Sequence, residues 1–94
     1  MKLVKATKEL LLELGVGDYI IYAFPGQKGN LLDNSNIYLI LKITKSVDDS
    51  AIFVCDVKLK LNNVIYRNVP ITKILGNMYV SFGLKKRINK ILSL

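Results

Sequence analysis

The spacing of apolar residues changes three times along this chain. Between Thr7 and Gly15, Leu10, Leu11, Leu12 and Leu14 lie among Lys8, Glu9 and Glu13, the pattern of one short helix. Thr7 can accept from the first free amides, Glu9 favours the positive end of the helix dipole, and Gly15 offers a left-handed stop. After Gly17-Asp18 the pattern becomes extended. Tyr19 to Phe24 is aromatic and β-branched, closes on Pro25-Gly26, and reads as a strand buried on both faces. The stretch from Gln27 to Asn36 reads as a loop, with Leu31-Leu32 turned down onto the core.

Alternation follows. Ile37, Leu39, Leu41 and Ile43 fall on one side of a strand, and Tyr38, Ile40, Lys42 and Thr44 on the other. Beyond a turn at Val47-Asp48-Asp49-Ser50, Phe53, Cys55, Val57, Leu59 and Leu61 point inward against Asp56, Lys58 and Lys60. Pairing of these two runs puts Leu39, Leu41, Phe53 and Val57 in one core. Asn62-Asn63 separates them from Val64 to Tyr66, and Asn tolerates the positive φ of a tight hairpin. Val69 to Ile74, with Pro70 at an edge or bend, and Met78 to Phe82 supply the last strands. After Gly83, Leu84, Ile88, Ile91 and Leu92 form one helical stripe. The expected order is helix, five strands, helix. So few residues do not make two packed sheets, and a small closed barrel hides the strand edges.

The run from Gly17 to Gly29 resembles the opening of KOW-type SH3-like barrels of ribosomal and transcription-elongation proteins. Their pattern is Gly-Asp, an apolar strand, a glycine, then Lys-Gly opening a loop. Gly17-Asp18, Gly26 and Lys28-Gly29 stand at those places, and Ile37 to Ile43 stands where the second strand would. Asp33-Asn34-Ser35-Asn36 replaces the glycine before that strand, and the loop is longer. With the element order above, the resemblance supports a mostly β fold, a five-stranded SH3-like small barrel with a short N-terminal helix and a basic C-terminal helix. One domain would span 1–94: the helix within 1–16, the barrel 17–82 and the second helix 83–94. The resemblance also points to an RNA partner.

Composition sharpens the partner. A formal net charge of +7 on 94 residues attracts polyanions by counterion release. The alternative source of that charge is the lysine, isoleucine and asparagine bias of an AT-rich genome. No histidine is present, which removes the commonest general base and metal ligand. The single Cys55 has no candidate base beside it, fits a buried small hydrophobe, and suits a reducing, cytoplasmic compartment. Asp48-Asp49 supplies too few oxygens for a metal, and Pro25 to Gly29 lacks the spacing of a nucleotide phosphate loop. No apolar run reaches the roughly 18 residues of a membrane span, and the start does not read as a secretory signal. No catalytic residue, metal or cofactor is expected, and no membrane partner.

The candidate nucleic-acid contacts fall in three groups. Lys42, Lys45, Lys58 and Lys60 are expected on one outward sheet face together with Tyr38, lysines for phosphate and a ring for a base. A plain solvated face is the alternative. Lys28 in the loop and Arg67 near the second hairpin form the next group. Lys85, Lys86, Arg87 and Lys90 surround the last apolar stripe, which is expected to pack on the barrel. The expected function is non-catalytic: a structural RNA-binding protein of the ribosomal or ribosome-associated kind, contacting ribosomal RNA through phosphates and shape. One alternative is a DNA-binding chromatin-type small barrel. Another is a protein-interaction module of a virus or larger assembly, with contacts from Tyr22, Phe24 or Tyr38.

Overall fold

Strands dominate the computed structural model, which describes residues 3–45 and 53–83. In chain order come β1 (Val4–Lys5), α1 (Lys8–Glu13), β2 (Tyr19–Tyr22), β3 (Ile37–Lys45), β4 (Phe53–Leu59), β5 (Ile65–Pro70) and β6 (Met78–Ser81). Short 3-10 segments occupy Asn34–Asn36 and Ile71–Asn77. All strand pairs are antiparallel, in one sheet ordered β1-β6-β2-β3-β4-β5. The fold is mostly β, as the alternation predicts, but the sheet is not closed. Its edges are β1 and β5, and no ladder joins them among the described residues. The sixth strand is β1, a two-residue piece beside β6, too short to leave a period in the sequence. Where the sequence pattern suggests a strand running to Ile74, the chain instead turns at Pro70 into the 3-10 segment. The expected C-terminal helix and the Val47-to-Ser50 turn fall outside the described residues.

Helix α1 begins as expected: the Thr7 hydroxyl accepts from Leu10 N at 3.2 Å. Its end differs. The helix stops at Leu14 in extended conformation, and the left-handed residue is Gly17 (φ +93°), not Gly15. Leu11 and Leu14 are buried from this segment and join Ile20, Ile40, Phe53, Val57, Ile71, Met78 and Val80 in the core.

The Gly17 turn delivers Asp18, whose carboxylate is buried and shared between distant parts of the chain. Oδ2 accepts from Gly15 N at 2.8 Å, and Oδ1 accepts from Gly83 N at 2.8 Å. Backbone bonds continue the clamp, with Ile40 N donating to Asp18 O at 2.9 Å and Gly17 N to Ile40 O at 3.0 Å. The approach is close enough that a Cβ on Gly83 would meet Gly17 O at 3.0 Å.

Strand β3 corrects the sequence-based inward set. Ile40 opposes Val57 and Lys42 opposes Asp56, so Leu41 is an extra residue, a β-bulge. Before the bulge Tyr38 and Ile40 share the core side with Leu59 and Val57; after it Ile43 and Lys45 do, opposite Cys55 and Phe53. Leu39 pairs with Lys58 on the opposite face and is half-buried, as is the bulged Leu41. A strict period of two placed Leu39 and Leu41 inward; one inserted residue changes that assignment.

Two measurements follow from this register. Urea unfolding should show Ile40→Ala costing about 3 kcal/mol and Leu41→Ala about 1 kcal/mol. Equal costs would contradict the bulge. Asp18→Ala leaves two amides without their charged acceptor and should cost about 3 kcal/mol with an unchanged urea m-value.

Candidate functional site

Two surfaces on opposite sides of the β3-β4-β5 region carry the chemistry. On the outer face the register aligns Leu39, Lys58 and Ile65 in one row and Lys42 with Asp56 in the next. Lys60 is exposed just past β4. A second bulge, between Cys55 and Val57, places an extra residue in β5, where Asn68 adopts φ +55°. Asp56 supports it: Oδ1 accepts from Asn68 N at 2.9 Å, and Oδ2 lies 3.5 Å from an Arg67 guanidinium nitrogen. The outer face therefore carries Lys42, Lys58, Lys60 and Arg67 around one carboxylate that is already engaged.

The expected grouping holds for Lys42, Lys58 and Lys60 but not for Lys45 or Tyr38. Lys45 lies on the core side and reaches back to α1, where its amine donates to the carbonyls of Leu12 and Leu14. Those are carbonyls that a helix end leaves without intrahelical partners, so Lys45 serves as a cationic cap. Tyr38 is on the core side as well, because the bulge at Leu41 separates it from Lys42. Lys28 is exposed in the loop after β2. Lys85, Lys86, Arg87 and Lys90 lie outside the described residues.

The opposite surface is an aromatic groove with a volume of about 210 Å³. One wall is the Tyr22–Phe24 pair, edge to face with ring centres 5.1 Å apart. The other includes Tyr38 and Tyr66, again edge to face at 6.1 Å. Ile20, Val57 and Val69 form the floor, and Ile71 and Ile74 of the 3-10 segment close one end. Phe24 and Tyr66 are large yet 46% and 45% exposed. Burial, and the charges that Tyr66 and Tyr22 would carry, raise the pKa of Tyr38 above that of a free phenol, so its hydroxyl stays neutral.

The loop that carries Phe24 is fixed by two amides. Gln27 Nε2 donates to Asn36 Oδ1 at 3.0 Å, and Asn36 Nδ2 donates to Gln27 Oε1 at 2.6 Å and to Tyr22 O at 2.7 Å. Gln27 Oε1 also accepts from Phe24 N at 3.2 Å. Asn36 is fully buried, so this pairing is not screened by water. Sequence reasoning singled out Tyr22, Phe24 and Tyr38 but missed Tyr66. The missed signal is long-range: Tyr66 opposes Val57, a core residue, in the β4–β5 register.

The Cys55 thiol is not presented for nucleophilic attack. Cys55 is 1% exposed, and burial, with a smaller contribution from Asp56 and partial relief from Lys45, pushes its thiol up to about 11. Among the described residues no group of three metal-ligating side chains occurs, and no helix is long and apolar enough to cross a membrane.

The shifted thiol has two consequences. At pH 8, three units below it, roughly one thiol in a thousand is ionised, so an aromatic disulfide reagent should label native protein about 100-fold more slowly than unfolded chain. Fast native labelling would show Cys55 accessible. The fold favours the neutral thiol, so the unfolded chain loses its proton first as pH rises. This contribution to stability is complete below the ordinary thiol value and is lost on going from there through about 11.

No protein-family model, no curated protein and no solved structure matches this chain.

Proposed function

We propose that this protein is a non-catalytic RNA-binding module of the SH3-like small-barrel kind, ribosome-associated and cytoplasmic, that holds RNA phosphates on its outer sheet face. Strand connectivity supports the barrel part of this reading. Strands β2 to β5 form a meander, and after the 3-10 segment β6 returns to pair with β2, the first of them. The observation that carries the functional part is the cationic row itself. The register brings Lys42 and Lys58 out on one side with Arg67, beside Asp56, and Lys60 is exposed just past the end of β4. Such a face offers mainly lysine point charges, its one guanidinium lying against Asp56, so it suits phosphate and shape more than sequence.

Salt titration of binding to a structured RNA tests this. Lys42→Ala, Lys58→Ala and Lys60→Ala should each weaken binding modestly and alike on unrelated RNAs. Each should also lower the slope of log affinity against log salt by up to about one unit. Tyr38→Ala should leave affinity and slope unchanged, because Tyr38 faces the groove. If all three lysine variants bind like the wild type at every salt concentration, the outer face is only solvated surface.

A further inference from the structure

The aromatic groove is a second surface, and its chemistry differs from that of the lysine face. Its lining holds no charged side chain and no amide; the only polar side-chain atoms are tyrosine hydroxyls. A nucleobase sunk in this groove would leave its edge donors and acceptors without partners, whereas aliphatic and aromatic lining suits branched or aromatic protein side chains.

One wall of this groove belongs to β5, and β5 is also an edge of the sheet, paired only with β4 among the described residues. Along Ile65 to Arg67 the free side of this edge can receive an incoming strand; beyond it the bulge at Asn68, whose amide donates to Asp56, and Pro70, which has no amide hydrogen, interrupt the row. A segment laid along Ile65 to Arg67 would direct a side chain to the groove side, beside Tyr66. The intervening side chains would fall on the outer face with Arg67.

Charge selects the partner. Lys28 follows Phe24 in the loop, Arg67 lies between the two β5 wall residues, and Lys73 lies within the 3-10 segment; all three are exposed. The nearby carboxylates are engaged, Asp33 by Ser35 and Asp56 by Asn68 and Arg67. A second copy of a chain with net charge +7 would bring Arg67 towards its own counterpart, which disfavours self-pairing at this edge. We infer that the β5 edge and its groove receive an extended segment of another protein, with apolar side chains for the groove alternating with acidic ones. This inference does not depend on RNA binding, since it uses the groove and, on the outer face, Arg67 alone, and not the lysines proposed for phosphate.

Fluorescence anisotropy tests it with three probes. They are a labelled octapeptide alternating valine or phenylalanine with glutamate, the same peptide with lysine for glutamate, and a labelled ten-nucleotide oligouridylate. The acidic peptide should bind saturably and the lysine peptide should not. Tyr66→Ser and Phe24→Ser should each weaken the acidic peptide by at least about tenfold, the loss expected on truncating an aromatic anchor. Lys42→Ala should bind the peptide like the wild type. Circular dichroism confirms that each variant is folded. Should Tyr66→Ser unfold, Phe24→Ser carries the test, because Phe24 lies in the loop outside every strand. Failure of the acidic peptide to bind, or equal binding by Phe24→Ser, would overturn the inference. So would oligouridylate affinity that falls with Phe24→Ser, dimerisation that Tyr66→Ser abolishes, or peptide binding that appears only after residues 84–94 are removed. Each of these leaves the lysine-face salt slopes untouched, so the two proposals fail separately.

Discussion

The buried carboxylate of Asp18 joins three parts of the chain that the sequence keeps far apart. It accepts from Gly15 at the end of the first helical segment and from Gly83 after the last strand, while its own backbone carbonyl holds Ile40 in β3. A buried carboxylate must be satisfied by donors, and here backbone amides supply them, so the geometry of all three segments is tied together. Gly17 makes the clamp sterically possible, through its left-handed turn and through the close approach of Gly83 to its carbonyl. The core consequence is that α1 lies against the sheet with Leu11 and Leu14 inward.

The clamp also fixes where β3 changes partners. Up to Leu39 the strand is paired on both sides, with β2 and with β4, and Ile40 bonds to Asp18 and Gly17; beyond the bulge at Leu41 only β4 accompanies it among the described residues. A bulge at such a junction increases twist and bends the strand. The second bulge, at Asn68, repeats the device in β5 and is held by Asp56. Together they divide the surface. The aromatic side chains Tyr38 and Tyr66 gather around the groove, while Lys42, Lys58 and Arg67 stay outside. Lys45 shows how charge is reassigned by the same geometry: displaced to the core side, it becomes the cap of a helix and no longer adds to the outer face.

Two surfaces with different chemistry therefore sit back to back on one three-strand unit. The outer one is cationic and shallow, suited to a polyanion. The inner one is apolar and bounded by β5, an edge strand among the described residues. Both depend on β4, whose alternation is unbroken from Phe53 to Leu59 and whose two neighbours carry the irregularities. The regular strand acts as a shared partition, and each bulged neighbour sets what one surface presents.

Sequence alone determined the elements whose signals are local. The Thr7 cap, the strands of β2, β3, β4 and β6, the long loop ahead of Asn36 and the positive φ at Asn63 all rest on residues within a few positions of one another. The cationic character of Lys42, Lys58 and Lys60 was legible in the same way, as was the inward direction of Cys55. Tertiary structure decided the rest: the two-residue β1, the 3-10 turn after Pro70, the open sheet, and the side on which Tyr38 and Lys45 fall. A period of two fixes sides only while every residue is paired in step. Where a strand gains one residue is set by hydrogen bonds from partners many positions away, such as Gly17 and Asp18 acting on Ile40, and no local pattern in the β3 sequence records it.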